Sequence, residues 1–399
     1  MVRFLHTADW QIGKPYGRVP EGRKRVLLQQ ERLHAIGRIA AVARERQVAF
    51  VLVAGDLFDS PTVPPEAVLE VLEAIGAMER PVLVIPGNHD HGAPGSVWHR
   101  ADFLRERQRL APALQVLLQP GPVVVEVAGS VAVVLPCPLL RRADHGDPAA
   151  WIAGLDPAAL PVGGSRIVLA HGGVTGFSAR DYDEEAQEGA ANRIDLAALA
   201  AAPVGVDYVA LGDWHNLRQV GPAAWYSGTP EPDRFDQGEG ERRGQVLVVE
   251  LERGAPPKVE PVATGRFAWH NLSFRFGDDG DLDRFEQRLQ ELLGERVGRD
   301  LLRLEVAGSL SLAGHRRYDA LIERLELRLL RLRRKGRCDQ APGASELEAL
   351  TLRPGDPLIA RVATELRDRL ATQEAEGDEP AAAVSRAALC DLFRLVTAD

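Results

Sequence analysis

The sequence predicts an α/β protein with two sheets flanked by helices, followed by a small α/β module and a helical tail. Short apolar runs that end in a glycine or a polar residue alternate with segments of helical periodicity over roughly the first 250 residues. Several short strands, punctuated by Gly and Pro, follow one another between residues 115 and 135, which favours a second sheet. The chain has 399 residues, 45% of them hydrophobic, enough for one large core and smaller domains.

Two strands with the same design organise the chain. Residues 50–54 form an apolar run that ends in Gly55-Asp56, and residues 81–86 form another that ends in Gly87-Asn88-His89-Asp90. Each run is typical of a buried strand that stops abruptly before side chains able to bind metals or exchange protons. This pattern is the outline of an active site.

Three more predicted strands end in the same way. The strand from Arg3 leads to Asp9 and Gln11, the strand from Arg166 to His171, and the strand from Asp207 to Asp213 and His215. In α/β proteins, functional groups gather beyond the carboxyl ends of the strands, where the following loops meet. We therefore expect the five strand ends to form one site.

Three helices are predicted between the strands of the large domain. Segment 21–47 carries apolar residues at mostly helical spacing among Arg, Glu and Gln. A Pro-Pro-Glu sequence from Pro64 opens a second helix that runs to Met78, because proline suits the first helical turn. Segment 97–110 is predicted as a third helix, rich in arginine.

The remaining sequence divides into two smaller parts. Strand 245–251 closes the large domain, and Gly254-Ala-Pro-Pro follows as punctuation near the boundary. The order strand, helix, strand, helix, strand over 267–333 is typical of a small α/β module. Beyond it, helices over 358–370 and 381–396 are predicted, with an acidic turn over 374–380. The predicted domains are 1–262, 263–340 and 341–399.

Composition limits the classes of function. The three cysteines, Cys137, Cys338 and Cys390, contain no CxxC pair, so neither a disulfide framework nor a structural zinc site is expected. No run of eighteen apolar residues occurs, and Met1 leads directly into a strand without a signal-peptide pattern, so we expect a soluble, cytoplasmic protein. The net charge of -9 does not suggest general attraction to nucleic acid.

The chemistry of the strand ends points to metal ions. Two divalent cations on the order of 4 Å apart can clamp a phosphoryl group and generate hydroxide near neutral pH when a carboxylate bridges them. Asp56, central among the ligand-bearing strands, is the natural bridge. Asp9 and His215 would then serve one ion, and the other would be served by Asn88, His171 and Asp213.

These motifs resemble the calcineurin-like metallophosphoesterases. The resemblance rests on Asp9-x-Gln11, Gly55-Asp56-x-x-Asp59, Gly87-Asn88-His89-Asp90, His171 and Gly212-Asp213-x-His215. The opening His6-Thr7-Ala8-Asp9-Trp10, the Gly-Asp-Leu-Phe-Asp block and Tyr226-Ser227-Gly228-Thr229-Pro230 narrow it to the SbcD-type DNA repair exonucleases.

The resemblance implies a fold, a substrate and a partner. The fold would be a two-sheet metallophosphoesterase sandwich with a DNA-facing capping domain. The substrate would be DNA, and the partner an SMC-like coiled-coil ATPase (SbcC-like). A homodimer is implied in the same way. The helical tail would either bind this ATPase or dock on the protein's own surface.

The resemblance also implies roles for residues around the metals. His89 would lie near the leaving-group oxygen and donate a proton or stabilise charge there. Asp59 and Asp90 would orient ligands rather than bind metal. The other histidines lack a supporting motif, so surface or structural roles are expected for them, with His6 and His91 the least clear.

Two positions depart from the family pattern. The family has Asp-x-His where this chain has Asp9-x-Gln11, and Gly-His-x-His where it has Gly212-Asp213-x-His215. Both changes replace nitrogen donors by oxygen donors, which favours manganese or magnesium over zinc. Gln11 would either bind metal or hydrogen-bond a metal-bound water.

DNA binding would require local positive charge, because phosphate contacts dominate affinity. Candidate contacts are Arg100, Arg105, Arg141 and Arg142, although each can equally be part of a solvated face. The partner subunit would then supply much of the DNA grip. The acidic stretch Asp181 to Gly189 is expected to loop across the site.

Two other functions fit the same residues. The chain could be a phosphodiesterase or phosphatase for nucleotides or other small phosphoesters, although such an enzyme has little use for a capping module and a helical tail. It could also be a structural subunit whose site is weakened at Gln11 and Asp213. Retention of the remaining ligand set favours the nuclease.

Overall fold

The structure is a computed structural model that describes residues 1–127, 129–174, 191–236, 242–340 and 343–397. The chain divides into two compact units, Met1–Phe267 and Ala268–Asp399. The loop predicted over 181–189 lies outside the described residues. The boundaries expected at 262 and 340 stay predictions.

The first unit contains the five strands that were expected to carry the site. Its described strands are β1 (Val2–Thr7), β2 (Val51–Ala54), β3 (Val82–Ile85), β4 (Leu114–Val116), β5 (Val123–Val127), β6 (Ser130–Cys137), β7 (Ser165–His171), β8 (Gly173–Val174), β9 (Arg193–Ile194), β10 (Tyr208–Gly212), β11 (Arg218–Gly221), β12 (Ala224–Tyr226), β13 (Gln245–Leu251) and β14 (Lys258–Ala263). Its described α-helices are α1 (Gly22–Glu45), α2 (Pro65–Gly76), α3 (Ala101–Leu110) and α4 (Leu196–Ala201).

Two six-stranded sheets form this unit, which confirms the predicted two-sheet α/β fold. The first sheet has the order β14-β13-β1-β2-β3-β4, and the second has the order β11-β12-β10-β7-β6-β5. Strands β1 to β4 run parallel, as do β6, β7, β10 and β12. The carboxyl ends of the parallel strands within each sheet therefore meet at one edge.

The alternation of side chains along the strands builds a layered core. In β1, Phe4 faces the space between the sheets and Leu5 faces the helices on the outer side. The Phe4 and Phe50 rings lie parallel with centroids 5.3 Å apart, and the Tyr208 ring of the second sheet meets Phe4 edge-on at 5.5 Å. Burial of this apolar layer fixes the register of the strands, because a shift by one residue would exchange the two faces.

The predicted helices of the first unit are found, with one correction. The segment expected as a single helix over 97–110 is broken: Val97–His99 is one 3-10 turn, and α3 begins at Ala101. Arg100 between them is extended, with φ −68° and ψ 137°. The break is held by the Trp98 indole, which donates to the Asp90 carbonyl, and by the Arg100 guanidinium, which pairs with Asp102.

The second unit has the predicted order of strands and helices. Its elements are β15 (Trp269–Phe276), α5 (Asp281–Leu293), β16 (Leu301–Leu310), α6 (Leu312–Arg328), β17 (Arg331–Gly336), β18 (Asp339–Gln340), α7 (Ala344–Thr351), α8 (Pro357–Glu376) and α9 (Glu379–Thr397). Strands β15, β16 and β17 are parallel, with β16 in the centre and β18 beside its far end.

Several boundaries in this unit differ from the prediction. Helix α6 begins at Leu312 rather than Arg316, because the Ser311 hydroxyl caps it by accepting from the Gly314 N–H. The same helix continues to Arg328, so β17 starts at Arg331 rather than at 327. Helix α7 was not predicted, and the acidic turn expected over 374–380 is helical except at Gly377 and Asp378.

The cysteines and the apolar character of the helices were the features of composition from which expectations were drawn. Cys137, Cys338 and Cys390 are buried free thiols. Within the described ranges, no helix combines the length and the apolar character needed to cross a membrane.

Candidate metal centre

The predicted ligands lie at the carboxyl ends of five strands. Loops after β1, β2 and β3 carry those of the first sheet, and β7 and the loop after β10 carry those of the second. The structure brings together Asp9, Gln11, Asp56, Asn88, His171 and Asp213, and places His215 in the same group of loops.

Four of these residues leave their strands through an unusual backbone conformation. Asp9, Gln11, Asp56 and Asp213 have positive φ values of 55°, 42°, 53° and 100°. Non-glycine residues adopt this left-handed region rarely, and such strain is concentrated at functional sites. The bends are supported by the N–H groups of Asp9 and Gln11, which donate to the carbonyls of Gly55 and Asp56 at 3.2 and 2.9 Å. The left-handed bends thus turn these side chains out of the strand pleat.

Two glycines allow the loops to approach one another closely. A Cβ atom on Gly87 would lie 2.2 Å from Asp56 Oδ1, and a Cβ on Gly55 would lie 2.2 Å from His171 Nδ1. Gly55 also has a φ of +86°, which favours glycine. Glycine precedes Asp56 and Asn88 in the sequence because a side chain there would collide with Asp56 or His171.

His171 is the centre of one group of donor atoms. Its Nε2 lies 3.2 Å from Asn88 Oδ1, 3.6 Å from Asp56 Oδ1 and 3.7 Å from Asp213 Oδ1. Its Nδ1 lies 2.8 Å from the Ala54 carbonyl, so Nδ1–H donates there. The Nε2 atom therefore faces the three oxygens, which is the orientation of a metal-binding imidazole.

The charge balance of this group also suits a cation. Burial lowers the pKa of His171, but the Asp56, Asp213 and Asp9 carboxylates outweigh burial and raise that pKa to about 9. The protein alone thus places a positive charge among these carboxylates. A divalent cation bound to Nε2 would replace the proton and satisfy the same charges.

The surroundings of the Asp9 carboxylate also fit a bound metal ion. Its Oδ1 accepts from the Asp213 N–H at 3.1 Å, whereas its Oδ2 is buried and makes no hydrogen bond within the described residues. Burial, together with repulsion from Asp56 and Asp213, raises the Asp9 pKa well above its usual range. One donor atom each from Asp9, Asp56 and His171 lies within 4.8 Å of the others. This buried oxygen and this donor set fit a divalent metal ion.

The other predicted ligands have neighbours that the sequence did not reveal. The Gln11 amide donates from Nε2 to Asp56 Oδ2 at 3.3 Å, and its Oε1 accepts from Lys14 Nζ at 2.7 Å. His215 Nδ1 lies 2.8 Å from Asp233 Oδ2 and 3.1 Å from the Arg234 guanidinium. Burial lowers the His215 pKa to about 4, so the imidazole is neutral near pH 7. No motif marked Lys14. Asp233 and Arg234 follow the Thr229-Pro230 motif after Glu231 and Pro232, and this position was their only signal in the sequence.

A buried arginine was also missed. Arg32 of α1 is 2% exposed and donates to the carbonyls of Asp9 and Trp10 at 2.8 Å each. The same guanidinium donates to Thr229 Oγ1 at 3.1 Å and to the Glu231 carbonyl at 3.2 Å. It thereby ties the loop after β1 to the loop after β12. In sequence it was one basic residue among many on a predicted surface helix.

The remaining residues of the Gly-Asn-His-Asp motif have distinct positions. The His89 side chain is 36% exposed, and its Nδ1 lies 3.0 Å from the Asp59 carbonyl. Asp90 is fully buried and accepts from the N–H groups of Gly87 and Phe58 at 2.7 and 3.0 Å. Asp90 thus joins the loops after β2 and β3.

The candidate DNA contacts and two uncertain histidines lie in different environments. Arg100 is engaged by Asp102, and Arg105 pairs with Glu106 at 2.9 Å, while Arg141 and Arg142 are exposed. His6 is buried between the two sheets, with its ring nitrogens 3.0 Å from the Tyr208 hydroxyl and 3.1 Å from the Leu211 carbonyl. Nδ1 of His91 is buried without a hydrogen bond in the described part of the chain.

Comparison with known families agrees with this geometry. A model of the calcineurin-like phosphoesterase family matches residues 2–240. The chain belongs to the calcineurin-like phosphoesterase family.

Two curated relatives narrow the similarity. Over 295 residues the chain is 28% identical to the DNA double-strand break repair protein Mre11 of Aeropyrum pernix, and the match covers 71% of this chain and 66% of the relative. Over 96 residues it is 38% identical to the SbcD subunit of the SbcCD nuclease of Bacillus subtilis, and that match covers 23% of this chain and 22% of the relative. The chain thus spans less than two thirds of the length of either relative.

A solved structure, that of TT1561 from Thermus thermophilus, is also similar. It matches with a TM-score of 0.39 and 15% identity, covering 66% of this chain and 99% of that one. Such a match is too distant to inform the site.

Proposed function

We propose that this chain is a metal-dependent nuclease that hydrolyses phosphodiester bonds in DNA. The observation that carries the proposal is the convergence of Asp9, Asp56, Asn88, His171 and Asp213 around a buried carboxylate oxygen with no hydrogen bond within the described residues. The names of the two curated relatives support DNA as the substrate.

The donor set suits manganese, with magnesium as the second choice. Three carboxylates and an amide oxygen are hard donors, and they are joined by one or two imidazoles. When bound there, a divalent ion would polarise the phosphoryl group and lower the pKa of a water molecule. Asp56 lies between the Gln11 and the His171 sides of the centre, which makes it the candidate bridging ligand.

His89 is proposed to act on the leaving group. Its Nδ1 is engaged by the Asp59 carbonyl, and its side chain is partly exposed at the edge of the centre. A ring held in this way can present Nε2 to a departing oxygen, a contribution of about 10²- to 10⁴-fold in rate. Asp59 and Asp90 are proposed to hold the His89 loop in place.

The wider assembly is part of the same proposal. A cytoplasmic SMC-like ATPase complex would account for a chain whose own net charge is -9, since the partner would supply much of the DNA grip. Arg141 and Arg142 are proposed as DNA contacts because they are exposed, whereas Arg100 and Arg105 pair with carboxylates. The module 263–340 is proposed to face DNA and the tail 341–399 to bind the ATPase, in a homodimeric assembly.

The test compares the wild type with Asp56→Asn and His89→Gln on labelled linear and circular DNA, single- and double-stranded. Manganese, magnesium and zinc are supplied separately, and a bis-aryl phosphodiester serves as a substrate that needs no DNA contacts. We expect manganese-dependent DNA cleavage that falls by at least about 10³-fold in Asp56→Asn and about 10²-fold in His89→Gln. Glu252→Gln, at an exposed position directly after β13, is the matched control and should cleave normally.

Each outcome separates the candidate functions. Cleavage of the small diester without DNA cleavage, even when an ATPase partner is added, would favour a small-phosphoester enzyme. An inactive wild type that still binds manganese would favour a structural subunit. Full activity in Asp56→Asn would contradict the proposed centre.

A further inference from the structure

A lysine occupies the Gln11 side of the metal centre. Lys14 Nζ lies 2.7 Å from Gln11 Oε1, 3.2 Å from Asp233 Oδ2 and 4.0 Å from Asp59 Oδ1. Its ammonium group is thus held among three oxygens, and the Lys14 side chain as a whole is 22% exposed. The Lys14 ammonium is therefore fixed in position by oxygen atoms, as a bound cation would be, and is not a freely moving surface charge.

Lys14 determines which end of the Gln11 amide faces the cluster. An ammonium group has only donors, so the amide atom 2.7 Å from Nζ must be the oxygen. The amide nitrogen then faces Asp56 Oδ2, an acceptor, at 3.3 Å. Rotating the amide to present oxygen to a metal at Asp56 would break both hydrogen bonds and bring its NH2 group against the ammonium. Gln11 is therefore oriented as a donor to Asp56 and not as a metal ligand.

A second cationic group borders the same side. The Arg234 guanidinium lies 3.1 Å from His215 Nδ1 and 3.4 Å from Asp233 Oδ1. Asp233 Oδ2 lies 3.2 Å from Lys14 Nζ, so the Asp233 carboxylate contacts both cationic groups. Asp233 thus anchors Lys14 beside Gln11 and Arg234 beside His215. A divalent ion there would meet two fixed positive charges and would lack one ligand.

The His171 side has the opposite character. His171 Nε2 faces oxygens of Asn88, Asp56 and Asp213 at 3.2 to 3.7 Å. These atoms converge without any rearrangement of an amide. The two halves of the centre therefore differ in charge and in ligand number in this chain.

We propose that this centre holds one divalent cation tightly, on Asp9, Asp56, Asn88, His171 and Asp213. The Lys14 ammonium serves as the positive charge on the Gln11 side, where it binds a phosphate oxygen of the substrate. Of the three Lys14 donors, two are used by Gln11 and Asp233. Asp59 at 4.0 Å is beyond hydrogen-bond distance, so within the described residues one N–H of Lys14 is left for an anionic oxygen. The phosphate-binding role rests on the proposed function, whereas the metal count does not.

The metal count is tested without any catalytic assay. Manganese bound per chain is measured by equilibrium dialysis, and electron paramagnetic resonance distinguishes an isolated ion from an exchange-coupled pair. We expect the wild type to hold one ion and to show the isolated signal. The double variant Gln11→His with Lys14→Met restores the family ligand and removes the ammonium, so it should bind a second ion at least about tenfold more tightly and show the coupled signal.

Controls keep this result interpretable. Lys258→Met removes an exposed lysine from β14 of the same unit and should leave the metal count at one. Thermal unfolding identifies any variant that fails to fold; in that case the wild-type count alone decides. Two ions of similar affinity in the wild type, or a double variant that still holds one, would overturn the proposal.

The role of Lys14 is measured with inorganic phosphate as the probe. Calorimetric titration of manganese-loaded protein should show phosphate binding weakened about tenfold in Lys14→Met, partly rescued in Lys14→Arg and unchanged in Lys258→Met. Equal phosphate affinity in Lys14→Met would overturn the phosphate contact. If DNA is never cleaved while the metal count and the phosphate contact hold, the nuclease proposal fails and this one stands.

Discussion

Asp9, Asp56 and Asp213 present carboxylates from backbone positions that most residues avoid. Their φ values between 53° and 100° cost energy that the surrounding hydrogen bonds must offset. The Asp213 N–H donates to Asp9, and the His89 N–H donates to Asp56 at 2.9 Å. The Asp9 and Asp56 carboxylates are therefore held by backbone groups of other motifs, which explains why the motifs are effective only as a set.

His6 shows how a titratable residue beside the centre can be structural. It is fully buried between the sheets, and burial lowers its pKa to about 3 despite a hydrogen bond to the Leu211 carbonyl. A neutral ring can accept from Tyr208 and donate to Leu211 at once, so both nitrogens are satisfied without charge.

His6 should make the first unit sensitive to acid. The folded-state pKa of His6, about 3, lies below the unfolded value of 6.5. Between these two values the imidazole is protonated in the unfolded chain and neutral in the folded chain. The free energy of unfolding then falls by up to about 1.4 kcal/mol per pH unit as the pH drops from 6.5 toward 3. We expect His6→Gln, which keeps a donor and an acceptor, to lose stability less steeply in urea titrations at about pH 7, 6 and 5. The exposed His34→Gln is the control, and parallel slopes for His6→Gln and wild type would contradict the explanation.

At the scale of elements, α1 and the two sheets position the loops. Helix α1 buries Ile36 and Ile39 against the outer face of the first sheet, and this packing brings Arg32 to the loop after β1. The guanidinium then supplies donors to the Asp9 and Trp10 carbonyls, which lie in the bent loop beyond the end of β1. Buried carbonyls without donors are costly, so the helix and the loops depend on each other.

Arg32→Lys should expose this dependence. Lysine keeps the charge but lacks the planar fork that reaches Asp9, Trp10 and Glu231 together. We expect about 2–4 kcal/mol less stability and weaker manganese binding, measured by thermal unfolding and dialysis. Arg44→Lys, exposed in the last turn of the same helix, should change neither. A stable Arg32→Lys variant with normal metal affinity would show that solvent replaces these donors.

At the scale of the whole molecule, the described metal ligands belong to the first unit and the tail helices to the second. Helix α9 packs on α8 within the second unit and buries Ala382, Leu389 and Cys390. Val384 and Leu395 of α9 remain 70% and 78% exposed. Such exposed apolar side chains, on a helix whose other face is packed, are candidates for contact with a partner.

This arrangement leads to a prediction about the proposed ATPase partner. Val384→Glu with Leu395→Glu should abolish co-purification with the ATPase while leaving manganese binding and diester hydrolysis unchanged. Point substitutions are preferable to deleting the helix, because deletion would uncover the apolar residues that α9 covers on α8. Val162→Glu, a fully exposed position in the first unit, is the matched control. If the double variant still co-purifies with the ATPase, the exposed face of α9 does not bind the partner, and α9 serves only to pack within its own unit.

The sequence alone was sufficient for the two-sheet fold and for the motifs whose chemistry is local. Apolar runs that end in Gly-Asp and Gly-Asn predict both a buried strand and a functional turn, because the strand period and the glycine requirement are properties of neighbouring residues. The break at Arg100, the early start of α6 and the additional helix α7 were not visible, since each depends on a cap or contact that propensity does not encode.

Only the tertiary structure decided how the two halves of the centre differ. Lys14 meets Asp233, a residue distant in sequence, at 3.2 Å, and Arg32 meets Glu231 across 199 positions. Neither contact can be predicted from local sequence patterns, because the side chains are brought together by the stacking of two sheets. The sequence alone identified Asp9, Asp56 and His171 as site residues. The direction of the Gln11 amide depends on Lys14 and Asp233, which only the fold brings together.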